Sequence, residues 1–163
     1  MRTGSKSGLV YNEPTNRRIV SGMRGSDRPT RAVRAVVRAV TPQSGSGPGT
    51  VAEVVAAYAD HLGRRIDVQR MTLPVGVFGM WLRSDERDLL VVSSGVATFE
   101  QTLAHELGHL VLGHEQGCSS DPDSGRAARC EAEAESFATL LVRRVKAGHT
   151  ITRVDSVVDE LLG

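Results

Sequence analysis

Two histidines four positions apart, with a glutamate directly after the first, make His105-Glu106-Leu107-Gly108-His109 the stretch of this chain best equipped for chemistry. On an α-helix, residues i and i+4 differ by about 40° of rotation and about 6 Å of rise, so the two imidazoles stand side by side and can share one metal. Glu106 is then within reach of a water on that metal. It can take the water's proton while the water attacks a peptide carbonyl, with the metal lowering the water's pKa and polarising the carbonyl. With five histidines and ten glutamates in 163 residues, a shuffled chain would contain such a pattern about once in a hundred. Its setting strengthens it: Leu103, Leu107, Leu110, Val111 and Leu112 flank the motif, as they would in a helix buried beneath a cleft.

A catalytic zinc takes three protein ligands and leaves one position open. His114 is close by, but it falls one position short of the spacing that the extended histidine motif of metzincins needs, and Leu112 stands where that motif has glycine. Continued as helix, His114 would point about 180° away from His105, so it reads as a helix-terminus residue whose ring interacts with the last carbonyls. A carboxylate from the next helix is the better source. Cys130-Glu131-Ala132-Glu133-Ala134-Glu135 lies a loop's length beyond His109, the arrangement of gluzincins. Ala134, Phe137, Ala138, Leu141 and Val145 mark the apolar face of that helix. Glu131 is nearest the centre of the arc, but periodicity leaves Glu133 and Glu135 open as well.

The surrounding elements follow from period and punctuation. Val33, Val36, Val37 and Val40 recur at helical spacing from Thr30, and the Pro- and Gly-rich segment 41–49 breaks the pattern. Thr50 is suited to cap a second helix, with Val51, Val54, Val55, Tyr58 and Leu62 as its stripe and Gly63 as its stop. Ile66 with Val68, then Val77 to Leu82, then Leu89 to Val92 read as three strands, the last two joined as a hairpin through Ser84-Asp85-Glu86-Arg87. Thr98 opens the helix that carries the motif, and Gly113 closes it. After a polar loop at 117–125, residues 126–146 are strongly helical up to Gly148, and a short final helix is expected from Thr152 to Leu162.

Composition bounds the answer. A chain of 163 residues with 40% apolar and 24% charged residues suits one globular domain. No apolar run approaches the roughly 18 residues of a membrane span, and no secretory signal is recognisable, so the expected compartment is the cytoplasm. Cys118 and Cys130 do not form paired zinc knuckles and are expected as free thiols. Net charge is +1, but residues 1–38 hold nine Arg or Lys against Glu13 and Asp27. Residues 1–29 show no periodicity and are expected to be a disordered basic tail, leaving 30–163 as the folded domain. Without interleaved aromatics the basic arm is read as solvated, and direct nucleic-acid binding is not expected.

Taken together, Thr102-Leu103-Ala104-His105-Glu106-Leu107-Gly108-His109 and Glu131-x-x-Ala134-x-x-Phe137-Ala138 resemble the ImmA/IrrE family of bacterial and phage metallopeptidases, over roughly residues 30 to 145. In that family the second motif is typically Glu-x-x-Ala-Asn-x-Phe-Ala, and its first Glu completes the zinc site, a role that carries over here onto Glu131. The chain departs from the pattern at Glu135, where the family usually has Asn, and at Arg143-Arg144, where Met-Pro often ends the helix. The resemblance implies an edge strand that holds an extended substrate by strand addition, expected here at Leu89 to Ser93. It also implies that the protein substrate is a helix-turn-helix transcriptional repressor, whose cleavage relieves repression.

The sequence therefore predicts an α+β domain with helices around a small three-stranded sheet. In it the motif helix and a following Glu-bearing helix form a one-zinc site from His105, His109 and Glu131, with Glu106 as general base. Manganese or iron would fit the same ligands. Two other readings keep the fold: a toxin-like or general zinc protease, and a regulator-binding module that does not cleave.

Overall fold

A computed structural model of the chain describes residues 27–42, 46–114 and 125–162, with side chains described through Gly148. Four helices and three strands lie among the described residues, in the order α1 (Arg28–Val40), α2 (Val51–Leu62), β1 (Arg65–Met71), β2 (Gly79–Arg83), β3 (Arg87–Ser93), α3 (Phe99–Leu112) and α4 (Gly125–Leu162). The class is α+β, as the sequence predicts. Of the expected tail, residues 1–26 lie outside the described residues, while Arg28 and Pro29 already belong to α1. Pro29 stands in the first turn, where its missing N–H costs no helical bond.

Caps set the helix ends. The Thr50 side chain accepts the Glu53 N–H at 3.1 Å to start α2, and Gly63 at φ 59° ends it in the left-handed conformation that glycine adopts without strain. Glu100, from the first turn of α3, accepts the Val51 N–H at 2.6 Å. The start of α2 is thereby bonded to the helix that carries the motif.

The sheet order is β1-β3-β2, with β1 parallel and β2 antiparallel to β3. This corrects one expectation: Leu89 to Ser93 belongs to the central strand, paired on both sides, and cannot take up a substrate strand. Leu90, Val91 and Val92 are all buried, the pattern of a strand covered on both faces. β1 and β2 are the edges, and β2 is the one that carries Gly79 against α3. At the far end of the hairpin the buried Asp88 carboxylate accepts Arg64 Nε at 2.6 Å, Arg83 Nε at 2.8 Å and Trp81 Nε1 at 2.9 Å, joining the end of α2 to the sheet.

α3 lies at the centre of the core. Leu103, Ala104, Leu107, Leu110, Val111 and Leu112 are fully buried against the sheet and α4, and burying one such leucine stabilises the fold by about 1.5–3 kcal/mol. Gly108 lets α4 come close: a Cβ there would sit 3.0 Å from Phe137 Cδ1 and 3.3 Å from the Ala134 backbone. α4 also departs from expectation. It continues through Gly148 to Leu162 as one helix of 38 residues, where a stop and a separate final helix were expected. A glycine inside a helix costs only about 1 kcal/mol, and neither a left-handed turn nor a proline follows to end this one.

Candidate metal centre

The close approach at Gly108 brings one face of α3 against the first turns of α4. His105 Nε2 and His109 Nε2 are 3.0 Å apart. From α4, Glu131 places Oε2 at 3.2 Å from the first and Oε1 at 3.6 Å from the second. The structure thus brings together His105, His109 and Glu131, with one ligand atom of each within 4.8 Å of the others. A tetrahedral zinc with bonds of about 2.0–2.1 Å spaces its ligand atoms about 3.3 Å apart, so two imidazole nitrogens and a carboxylate oxygen at these separations fit such an ion with small adjustments. Burial, together with the neighbouring His105 and His114, lowers the His109 pKa to about 3, so the ring stays neutral, the form that binds metal.

Glu106 lies on the buried side of the site and is 7% exposed. Burial, with the nearby Glu131 charge, raises its pKa to about 8. Gly79 of β2 makes room for it: a Cβ at that position would come within 2.6 Å of Glu106 Oε1 and 2.9 Å of Thr102 Cγ2. Gly79 was not identified from the sequence, where it was one residue of a β-prone segment.

The three glutamates of α4 have separate places. Glu131 faces the two Nε2 atoms. Glu135, at the position where the family usually has Asn, puts Oε2 at 3.4 Å from His105 Nδ1 and accepts Gln101 Nε2 at 3.0 Å on its other oxygen. Glu133 is on the far side, where Oε2 lies 3.2 Å from His114 Nε2 and 2.5 Å from Arg28 Nη1.

His114 also differs from expectation. Its backbone N–H bonds the His109 carbonyl at 3.0 Å, but its ring does not cap the helix. Gly113, at φ 64°, reverses the chain, so the His114 ring is buried with Nδ1 at 2.9 Å from His109 Nδ1. Arg28 Nη2 takes the capping role by donating to the Leu112 carbonyl. The signal for this was in the sequence: once Gly113 ends the helix, helical geometry no longer says where residue 114 points.

An oxyanion at this site would need a donor facing the metal side, yet Tyr58 is sealed in the core and His114 stands behind His109, away from its Nε2. The side chain of His149 lies outside the described residues.

A peptidase family model, described as the IrrE N-terminal-like domain, matches residues 64–148. The chain belongs to this family. The match runs from the end of α2 through the sheet, α3 and the described side chains of α4, so this family member carries a metallopeptidase-like domain, and its class is hydrolase. α1, with Arg28, precedes the matched region. No curated protein and no solved structure matches the chain. No helix among the described residues is long and apolar enough to cross a membrane.

Proposed function

We propose that this IrrE-type protein is a zinc-dependent endopeptidase in which His105, His109 and Glu131 hold one zinc ion and Glu106 is the general base. The observation that carries the reading is the meeting of two Nε2 atoms and one carboxylate beside a buried second carboxylate. Zinc held by these ligands would act as a Lewis acid toward the scissile carbonyl and acidify the attacking water. Glu106 takes that water's proton on a carboxylate oxygen and passes it to the leaving amine. Burial and the nearby Glu131 charge raise its pKa, and a cation beside it would favour the ionised form that accepts the proton.

The substrate is held by β2. Its outer edge pairs with no strand among the described residues, and a peptide added there would run past Gly79, against which Glu106 rests. Exposed Val75 and Phe78 before β2 and Leu82 within it offer apolar contacts to such a peptide. The substrate class we infer is a helix-turn-helix repressor in the cytoplasm, with cleavage relieving repression.

Purified protein should hold about one zinc per chain. Glu131→Ala should lose it, whereas Glu135→Ala should keep it. Incubation with repressors encoded beside the gene should then yield discrete fragments with wild type and none with Glu106→Gln. Zinc retained by Glu131→Ala, or fragments still produced by Glu106→Gln, would sink the assignment.

A further inference from the structure

Behind His109, on the side away from its Nε2, four groups form a continuous chain. His109 Nδ1 meets His114 Nδ1 at 2.9 Å, His114 Nε2 meets Glu133 Oε2 at 3.2 Å, and the same oxygen receives Arg28 Nη1 at 2.5 Å. Arg28 uses its other terminal nitrogen on the last turn of α3, at the Leu112 carbonyl. The Glu133 side chain is 17% exposed and that of His114 is 3% exposed, so water does not readily replace these contacts. We propose that Arg28, Glu133 and His114 are positioning residues that set the ring and tautomer of His109, so that the first residue of α1 tunes the metal affinity of a site built on α3 and α4. The metal part of this inference rests on the zinc reading above.

Hydrogen positions follow from the chemistry of the partners. Glu133, paired with a guanidinium, is an acceptor only, so the His114 nitrogen that faces it must carry hydrogen. A neutral His114 then has a lone pair on Nδ1, which accepts from His109 Nδ1–H. That leaves the lone pair of His109 on Nε2, directed at His105 and Glu131. Reversing the chain would put a lone pair of His114 against the Glu133 carboxylate and a hydrogen on the nitrogen meant for metal. Ligating histidines commonly donate their other N–H to a fixed acceptor, and removing that acceptor weakens metal binding by about 10- to 100-fold. Here the acceptor is an imidazole fixed by a carboxylate, which is fixed in turn by an arginine from outside the region that the family model matches. His105 has a more open arrangement, since its Nδ1 faces the exposed Glu135 at 3.4 Å.

The test uses full-length wild type, His114→Phe, His114→Gln, Glu133→Gln and Arg28→Met, with two measurements. The first is zinc affinity by competition with a chelator. His114→Phe should bind about 10- to 100-fold more weakly, Glu133→Gln and Arg28→Met about tenfold more weakly, and His114→Gln, whose amide can accept from His109 and donate to Glu133, should recover most of the loss. The second, made without metal, is the long-range proton–nitrogen spectrum of the imidazoles, in which wild-type His109 should appear as the Nδ1–H tautomer and lose that signature in His114→Phe. Should His114→Phe fail to fold, Glu133→Gln and Arg28→Met carry both measurements. Wild-type zinc affinity in all the variants would overturn the proposal, as would an Nε2–H tautomer of His109 in the wild type. If wild type binds no zinc, the peptidase reading fails, while the metal-free spectrum still decides whether the chain of contacts fixes His109.

Discussion

Asp88 and Glu106 are both buried carboxyl groups, 0% and 7% exposed, yet their surroundings oppose each other. Burial pushes the Asp88 carboxyl up, but hydrogen bonds from Arg83, Arg64 and Trp81 outweigh it and hold the group below the usual carboxylate range. No donor among the described residues bonds the Glu106 carboxyl. Burial and the Glu131 charge therefore act unopposed and raise it to about 8. A buried acid with all its partners in place holds a fold together. One left without partners is costly to ionise and stands ready to exchange a proton. The first is at the end of the sheet remote from Gly79, where it joins α2 to the hairpin; the second is where the β2 edge meets the candidate metal site.

The largest effect expected from this contrast is on catalysis. Glu106→Gln should lower peptide cleavage by at least about 10²- to 10⁴-fold while zinc content and unfolding midpoint stay at or above those of wild type; a cleavage rate near wild type would remove Glu106 from the role of base. The mirror experiment is Asp88→Asn, which leaves two guanidinium groups short of their charge partner. A loss of about 3–5 kcal/mol should appear in urea unfolding, with unchanged activity per folded molecule, and a stability change below about 1 kcal/mol would place Asp88 among ordinary surface pairs.

Gly79→Ala sharpens the contrast from the side of the sheet. The added methyl must displace Glu106 Oε1 and Thr102 Cγ2, so turnover should fall by about 10- to 100-fold with little loss of stability. If stability falls instead and turnover per folded molecule is intact, the glycine serves packing alone. The smallest effect concerns pH. Because the folded Asp88 pKa lies below that of the unfolded chain, its stabilisation is complete above about pH 4 and is lost as pH falls through the folded value. Between those values it adds up to about 1.4 kcal/mol per pH unit to the slope of stability, and Asp88→Asn should flatten the acid limb by that amount.

Much of this was legible in the chain because it is local. Helical period and caps are decided within a turn or two, so Thr50, Gly63 and Gly113 marked helix ends correctly, and the valine and leucine stripes marked buried faces. The pairing of His105 with His109 on one face needs only the pitch of a helix. The continuous run Leu89-Leu90-Val91-Val92 also held the information that β3 is covered on both faces, since a strand with one face in water would alternate, but it did not say which strands flank it. Gly148 shows the limit of local punctuation: a glycine permits a helix to end, but does not require it.

The sequence by itself determined the motif, the helices that carry it and the class of chemistry, because each depends on spacing along one element. Periodicity left the three glutamates of α4 open and only the resemblance pointed to Glu131, while tertiary structure alone decided the strand order, which glutamate supports His105 and which one meets Arg28. It also decided that Gly79 makes room for Glu106 and that His114 turns back to His109. Each of these depends on how two or three elements approach one another, and that is set by close packing at places such as Gly108 against Ala134, where residues far apart in the chain must fit together at once.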